Sequence, residues 1–165
     1  MGGGSQRYGG SSVPTRRLTA APSSPHATAT MRANRGRNTG PEVTLRSALH
    51  RAGLRFRKDL RMVVGETAVR PDIVFTRNHV AVFVDGCFWH GCPQHGEMPV
   101  SNREFWEAKI SGTRDRDARQ TAALEAAGWT VLRVWEHEPV DDALARIGNA
   151  LDGAGASQDR PMSPR

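Results

Sequence analysis

Val80-Ala81-Val82-Phe83-Val84 places five apolar residues in succession. A half-exposed strand alternates apolar and polar residues, so an unbroken run of this length between turn signals reads as a strand covered on both faces. Such a sheet needs helices on either side, which predicts a three-layer α/β arrangement. The flanking sequence supplies them. Thr39 with Glu42 has the form of a capping box, Pro41 falls at the first helical positions, and Val43, Leu45, Ala48 and Leu49 carry an amphipathic helix to near Gly53. Leu54 to Arg57 alternates like a short strand, and Pro71 opens a strand through Phe75 that turns at Arg77-Asn78. Ser101 with Glu104 is a second capping box; it starts helical sequence through Ala127 with Gly112 as its weak point, closed by Gly128. Thr130 to Trp135 is another buried strand and Pro139 to Leu151 a final helix, which makes four strands and about three helices.

The ends differ from this middle. In residues 1–30, twenty-one positions are Gly, Ser, Pro, Thr or Ala, too little apolar surface to repay the entropy of ordering. That stretch is expected to be a disordered arm; it lacks the apolar core of a secretory signal, and Met31 is a candidate start. The ordered domain is expected over 31–152, with 153–165 a flexible tail. Residues 1–40 hold six arginines and no acid, and the whole chain has 23 basic and 17 acidic residues, so the excess of +6 lies in this N-terminal stretch of forty residues. Basic residues outside a neutral body suit either a polyanion partner, through counterion release, or a tail kept soluble by charge. No apolar run approaches the roughly 18 residues that cross a bilayer, and two cysteines five apart are no disulfide framework. A cytoplasmic, reducing setting is expected.

Two clusters carry chemistry. Asp72 begins one strand and Asp85 ends the next, so a hairpin brings both carboxylates to one end of the sheet. Nucleases use paired acids in this way to hold Mg²⁺ against a phosphate, since a hard cation takes oxygen ligands; equally, each acid suits a strand-end or loop bond. The second cluster, Gly86 to His95, holds Cys87, His90, Cys92 and His95. Cys87, Cys92 and His95 have knuckle-like spacing for zinc, and His137 is the best fourth ligand; buried free thiols beside surface histidines are the alternative. Phe88 and Trp89, with Trp106, suit either core packing or wedging into base stacks. The run Arg114-Asp115-Arg116-Asp117 reads as a solvated, self-paired helix face.

Met31-Arg32-Ala33-Asn34, Pro41-Glu42, Arg70-Pro71-Asp72, Asp85-Gly86-Cys87-Phe88-Trp89-His90, Phe105-Trp106 with Lys109-Ile110, and Gly128-Trp129 with Val131, Val134, Trp135 and Glu136 resemble, in order and near-matching spacing, the very-short-patch-repair (Vsr) DNA mismatch endonucleases. The resemblance runs from about Met31 to His137. It implies a restriction-endonuclease-like α/β fold with a central mixed sheet and a structural zinc site. The implied activity is Mg²⁺-dependent nicking of duplex DNA beside a T·G mismatch, by a monomer in the cytoplasm, on the nucleoid, with mismatch-repair proteins as candidate partners. By the resemblance, Asp72 falls on the Mg²⁺-binding aspartate, His90 on the catalytic histidine, and Glu42 on a glutamate near the metal-bound water. Phe88, Trp89 and Trp106 fall on intercalating aromatics, and Cys87 and His137 on two of four zinc positions. Val84 would hold Mg²⁺ through its carbonyl, and Arg32, Arg35 and Arg37 would track the phosphate backbone.

The chain also departs from the best-known family pattern. Asp85 stands where that form has histidine and is expected to ligate Mg²⁺ directly; Val84 stands for threonine; Cys92, His95 and His137 reshuffle the zinc set. Two rival readings follow: a restriction-type endonuclease without mismatch specificity, and a zinc-stabilised DNA-binding module without catalysis.

Overall fold

The computed structural model describes residues 38–95, 99 and 102–158. The arm, Arg32, Arg35, Arg37 and Ser101 lie outside the described residues. The elements are α1 (Gly40–Arg51), β1 (Arg57–Lys58), β2 (Met62–Val64), β3 (Thr67–Val69), β4 (Ile73–Phe75), β5 (Val80–Asp85), α2 (Arg103–Ala126), β6 (Thr130–Trp135) and α3 (Val140–Gln158).

A four-stranded sheet has the order β1-β4-β5-β6, and β2 and β3 form a separate two-stranded ribbon. β4 runs antiparallel to β5, with Ile73 opposite Val82, and β6 runs parallel to β5, with Val84 opposite Val134. The sheet is therefore mixed. The parallel pair needs a crossover, and α2 provides it.

Strand alternation divides the core. Ile73, Phe75, Val80, Val82 and Val134 pack on one face with Leu45 and Leu49 of α1 and Ala143, Ile147 and Leu151 of α3. On the other face Ala81 and Phe83 meet Val69 of the ribbon and Leu124 of α2. The central run is thus buried on both sides, as its composition predicts. The same alternation sends Asp85 and Arg133 toward the α2 face, along with Ala81, Phe83 and Val131.

The chain leaves α1 and α2 through left-handed glycines. Gly53 has φ +76° and Gly128 φ +80°. The amide N–H groups of Leu54 and Gly53 bond back to Leu49 and His50, and those of Trp129 and Gly128 to Leu124 and Glu125, the Schellman arrangement.

Several local expectations give way to tertiary packing. Thr39 is the residue before α1, but its side chain makes no capping bond; the Glu42 carboxylate instead accepts from the Asn38 N–H and the Thr39 hydroxyl. The strand expected at 54–57 retains only Arg57, and the β2–β3 ribbon was not foreseen. α2 runs unbroken through Gly112, and Asn102, not Ser101, precedes its first turn. α3 continues to Gln158, past the expected boundary at 152, because Ala150 and Ala154 still pack on the core.

Candidate active site and metal cluster

β4 is short, and that opens the site. Its pairing with β5 ends at Ile73, and the Asp72 N–H bonds to the Val82 carbonyl. Beyond that point the Asp72 side chain takes over from the ladder: its Oδ2 accepts the Val84 N–H at 2.8 Å. A strand residue sends its N–H and C=O to the same side, so the Val84 carbonyl also opens toward the gap left by β4. One carboxylate and one carbonyl thus converge at the sheet edge. The hairpin expected from the Asp72–Asp85 spacing is present.

Asp72 lines a cavity of about 570 Å³ together with Glu42, Val84, Asp85, His90, Asp117 and Arg133. Burial raises the Asp72 carboxyl from 3.8 to about 6; the Val84 N–H lowers it, and the carboxylates of Glu42, Asp59 and Asp85 raise it further. Among the described residues no cation pairs with Asp72, whereas its neighbours are matched. Buried Glu42 bonds Arg46 at 3.2 Å, and Arg46 is held in turn by Asn38 Oδ1 at 2.8 Å.

Asp85 is matched most fully. Arg133 Nε reaches its Oδ2 at 2.5 Å and Arg133 Nη2 its Oδ1 at 2.6 Å, a two-pronged fork. The carboxylate expected as a metal ligand thus has its charge matched by Arg133, with one hydrogen bond to each oxygen. Burial works against the Arg133 guanidinium charge, but the hydrogen bonds and charge of Asp85, with Asp117 and Asp72, hold its pKa above the ordinary value.

His90 reaches the cavity from the loop after β5. Its Nδ1 lies 2.6 Å from Asp117 Oδ2 and 3.6 Å from Asp85 Oδ1. Asp117 is also 3.1 Å from Arg133 Nη2. The solvated-face reading of the 114–117 run therefore fails for Asp117, which is buried. The buried positions of α2 are Trp106, Ile110, Asp117 and Leu124; an acid standing on that helical stripe was the signal available in the sequence. Arg133 had a parallel signal, a charge inside a strand otherwise apolar at its centre.

The loop is held from several sides. Gly86 and Phe88 carbonyls accept from His90 and Gly91, and the Cys92 N–H bonds the Cys87 carbonyl at 2.8 Å. Glu136 Oε1 accepts the Cys87 N–H at 2.7 Å, tying the loop to the end of β6. Arg114 donates to the carbonyls of His90 and Gly91. Gly91 has φ +60°, a left-handed conformation that favours glycine, and a Cβ there would also displace the Arg114 guanidinium.

Cys87, Cys92, His95 and His137 bring their ligand atoms within 4.8 Å of one another. Cys87 Sγ is 3.0 Å from His137 Nδ1 and 4.0 Å from His95 Nδ1, and Cys92 Sγ is 3.8 Å from His137 Nδ1 and 3.9 Å from His95 Nδ1. Tetrahedral metal–ligand bonds of 2.0–2.3 Å imply edges of about 3.3–3.8 Å, so the donor set fits a metal ion. Burial, with the Cys92 thiol and Glu136 beside it, pushes Cys87 up to about 12. Burial acts the same way on Cys92, but the Gln94 and His95 N–H groups and Cys87 outweigh it and lower that thiol.

Phe88 and Trp89 are half-buried and line the cavity; Trp106 is buried behind them and does not. Ring centroids lie 5.1 Å apart for Phe88–Trp89 and 5.2 Å for Phe88–Trp106, both edge-on. No helix among the described residues is long and apolar enough to cross a membrane.

Known proteins resemble the chain over this region. Residues 24–95 match the family described as DNA mismatch endonuclease Vsr. The type II nicking enzyme V.NaeI of Lentzea aerocolonigenes is 50% identical over 122 residues, 73% of this chain and 74% of that protein. V.XorIIP of Xanthomonas oryzae, likewise a type II nicking enzyme, is 46% identical over 72% of this chain and 86% of its own length. The DNA mismatch endonuclease Vsr of Escherichia coli is 36% identical over 77% of this chain and 84% of its own. Matches of this identity and coverage establish that the chain belongs to the Vsr family of DNA endonucleases.

Proposed function

We propose that the protein nicks one strand of duplex DNA beside a T·G mismatch, by Mg²⁺-dependent hydrolysis on a restriction-endonuclease-like fold. The observation that carries this reading is the convergence of Asp72, Glu42 and His90 on one cavity whose wall includes Phe88 and Trp89. An acid without a cationic partner beside a backbone carbonyl suits a hard divalent ion. Asp72 and the Val84 carbonyl would hold Mg²⁺, which when bound polarises a phosphate and makes water more acidic.

The chain's own groups do the rest. Asp117 holds His90 through Nδ1, which leaves Nε2 to move a proton at the attacking water or the leaving oxygen. Glu42, fixed by Arg46, supplies a second oxygen acceptor to water in the cavity. Phe88 and Trp89 present rings to the base stack, and Trp106 buttresses them. A wobble pair distorts at less cost than a matched pair, so part of the selectivity comes from deformability. Arg32, Arg35 and Arg37 would contact phosphates.

Cys87, Cys92, His95 and His137 would hold structural Zn²⁺, bracing the loop that carries His90 and the aromatics. We read the protein as a monomer acting on nucleoid DNA, with mismatch-repair proteins as further partners.

A second reading has its own support: V.NaeI and V.XorIIP are both named type II nicking enzymes, which leaves nicking without mismatch preference in play. One assay separates the two. A labelled duplex with a single T·G mismatch and its matched twin are incubated with Mg²⁺ or EDTA, using wild type and Asp72→Ala. Nicking of the mismatched duplex only, lost with EDTA and with Asp72→Ala, is the expected result. Equal cutting of both duplexes would establish the second reading, and binding without cutting would reduce the protein to a DNA-binding module.

A further inference from the structure

The acids of the cavity differ in how their charge is met. Glu42 has Arg46; Asp85 has both prongs of Arg133; Asp117 has Arg133 Nη2, His90 and, at 3.5 Å, Arg116. Asp72 alone of these four has no ion pair within 4.0 Å among the described residues, and Arg133 acts on it only at longer range. A cation arriving from solution is drawn to the acid whose charge is unmet, whereas the charge of Asp85 is already matched by the Arg133 fork.

The fork is not explained by stability. Arg133 stands on the buried face of β6 with its Cζ 5.1 Å from the centre of the Phe83 ring. Its Nη1 is the one buried side-chain nitrogen or oxygen without a hydrogen-bond partner among the described residues. A buried ion pair with an orphaned donor is no better for folding than an apolar residue of similar size. What the arrangement does accomplish is geometric: one planar guanidinium fixes two acids that both face His90 Nδ1.

We propose that Arg133 is a positioning residue of the nicking site. By taking both oxygens of Asp85 and one of Asp117 it withholds Asp85 from the divalent ion, leaving a site built on the single carboxylate of Asp72. It also fixes the Asp117 acceptor that orients His90. The proposal rests on the nicking reading for the ion's purpose, but its test reads metal occupancy and not cleavage.

Mn²⁺ serves as the probe, titrated calorimetrically into the full chain with the Cys/His cluster loaded with zinc. Asp72→Asn is expected to weaken Mn²⁺ binding at least tenfold, and Asp85→Asn to change it by less than threefold. Arg133→Met, which releases Asp85, is expected to tighten binding at least threefold or add a second ion. The double variant Asp85→Asn with Arg133→Met carries no stranded charge, which keeps the test open if the single Arg133 variant fails to fold. It is expected to return to one ion at near wild-type affinity. Arg133→Lys keeps the charge without the fork and should fall between wild type and Arg133→Met. Loss of Mn²⁺ affinity in Asp85→Asn equal to that in Asp72→Asn would overturn the proposal, as would unchanged binding in folded Arg133→Met. If no duplex is nicked while the Asp72/Asp85 difference holds, the nicking reading fails and the role of Arg133 stands.

Discussion

His90 Nδ1 sits 2.6 Å from Asp117 Oδ2, joining the loop after β5 to the middle of α2 across 27 residues of sequence. A carboxylate at Nδ1 selects the tautomer with its proton there and leaves Nε2 for the substrate side. Asp117→Asn keeps the shape and removes that preference. Single-turnover nicking should fall by about 10²-fold, with the thermal midpoint nearly unchanged. A rate within twofold of wild type would show that the pair has no part in the chemistry.

Asp72 links function to pH-dependent stability. Its carboxyl titrates near 6 in the fold against 3.8 for the ordinary group. Between these values the folded state holds a proton that the unfolded state has lost, so stability falls as pH rises from about 4 to above 6. The full effect is about 3 kcal/mol at neutral pH without added divalent ion. Asp72→Asn should remove this slope, becoming more stable than wild type at pH 7 while losing nicking. Urea denaturation at pH 4 and pH 7 checks it; a stability difference independent of pH would be the contrary result.

The Cys/His cluster should be required for the loop. With Cys87 held near 12 in the metal-free state, binding must displace its proton, so metal affinity rises with pH. The isolated protein should contain about one zinc per chain, measurable by elemental analysis. Chelation or Cys87→Ser should unfold residues 86–95 and abolish nicking. Full activity in a verified zinc-free preparation would remove the cluster from the account.

The three aromatics should separate by burial. Trp106 is 9% exposed, and Trp106→Ala should cost about 3–5 kcal/mol of stability. Trp89→Ala, at the half-buried cavity wall, should cost less stability but weaken binding to a mismatched duplex about tenfold, the scale expected when one stacking contact is lost. Fluorescence anisotropy and thermal melts together test this, and equal stability losses would reject the division of labour.

The basic arm should appear in salt dependence. Replacing Arg32, Arg35 and Arg37 by Gln should lessen the slope of log K against log salt by about 3, roughly one per lost phosphate contact. An unchanged slope would mean that these arginines do not touch the backbone.

Much of the fold was legible because its determinants are local. An unbroken apolar strand demands cover on both faces, glycines at 53 and 128 end helices through their own backbone freedom, and two thiols and two imidazoles close in sequence or at a strand end mark a candidate metal-binding set before any contact is known. The acids at 72 and 85 were legible as a pair for the same reason, since they stand at the outer ends of two strands joined by a short turn. What only the tertiary structure decided was partnership. Arg133 lies 48 residues beyond Asp85, and Asp117 lies 27 beyond His90; no local pattern says which buried charge meets which. That pairing depends on β6 lying parallel to β5 and on α2 crossing the same face of the sheet. It is why Asp117, which looked like one member of a solvated charge run, lines the cavity, and why the charge of Asp85 is met by Arg133.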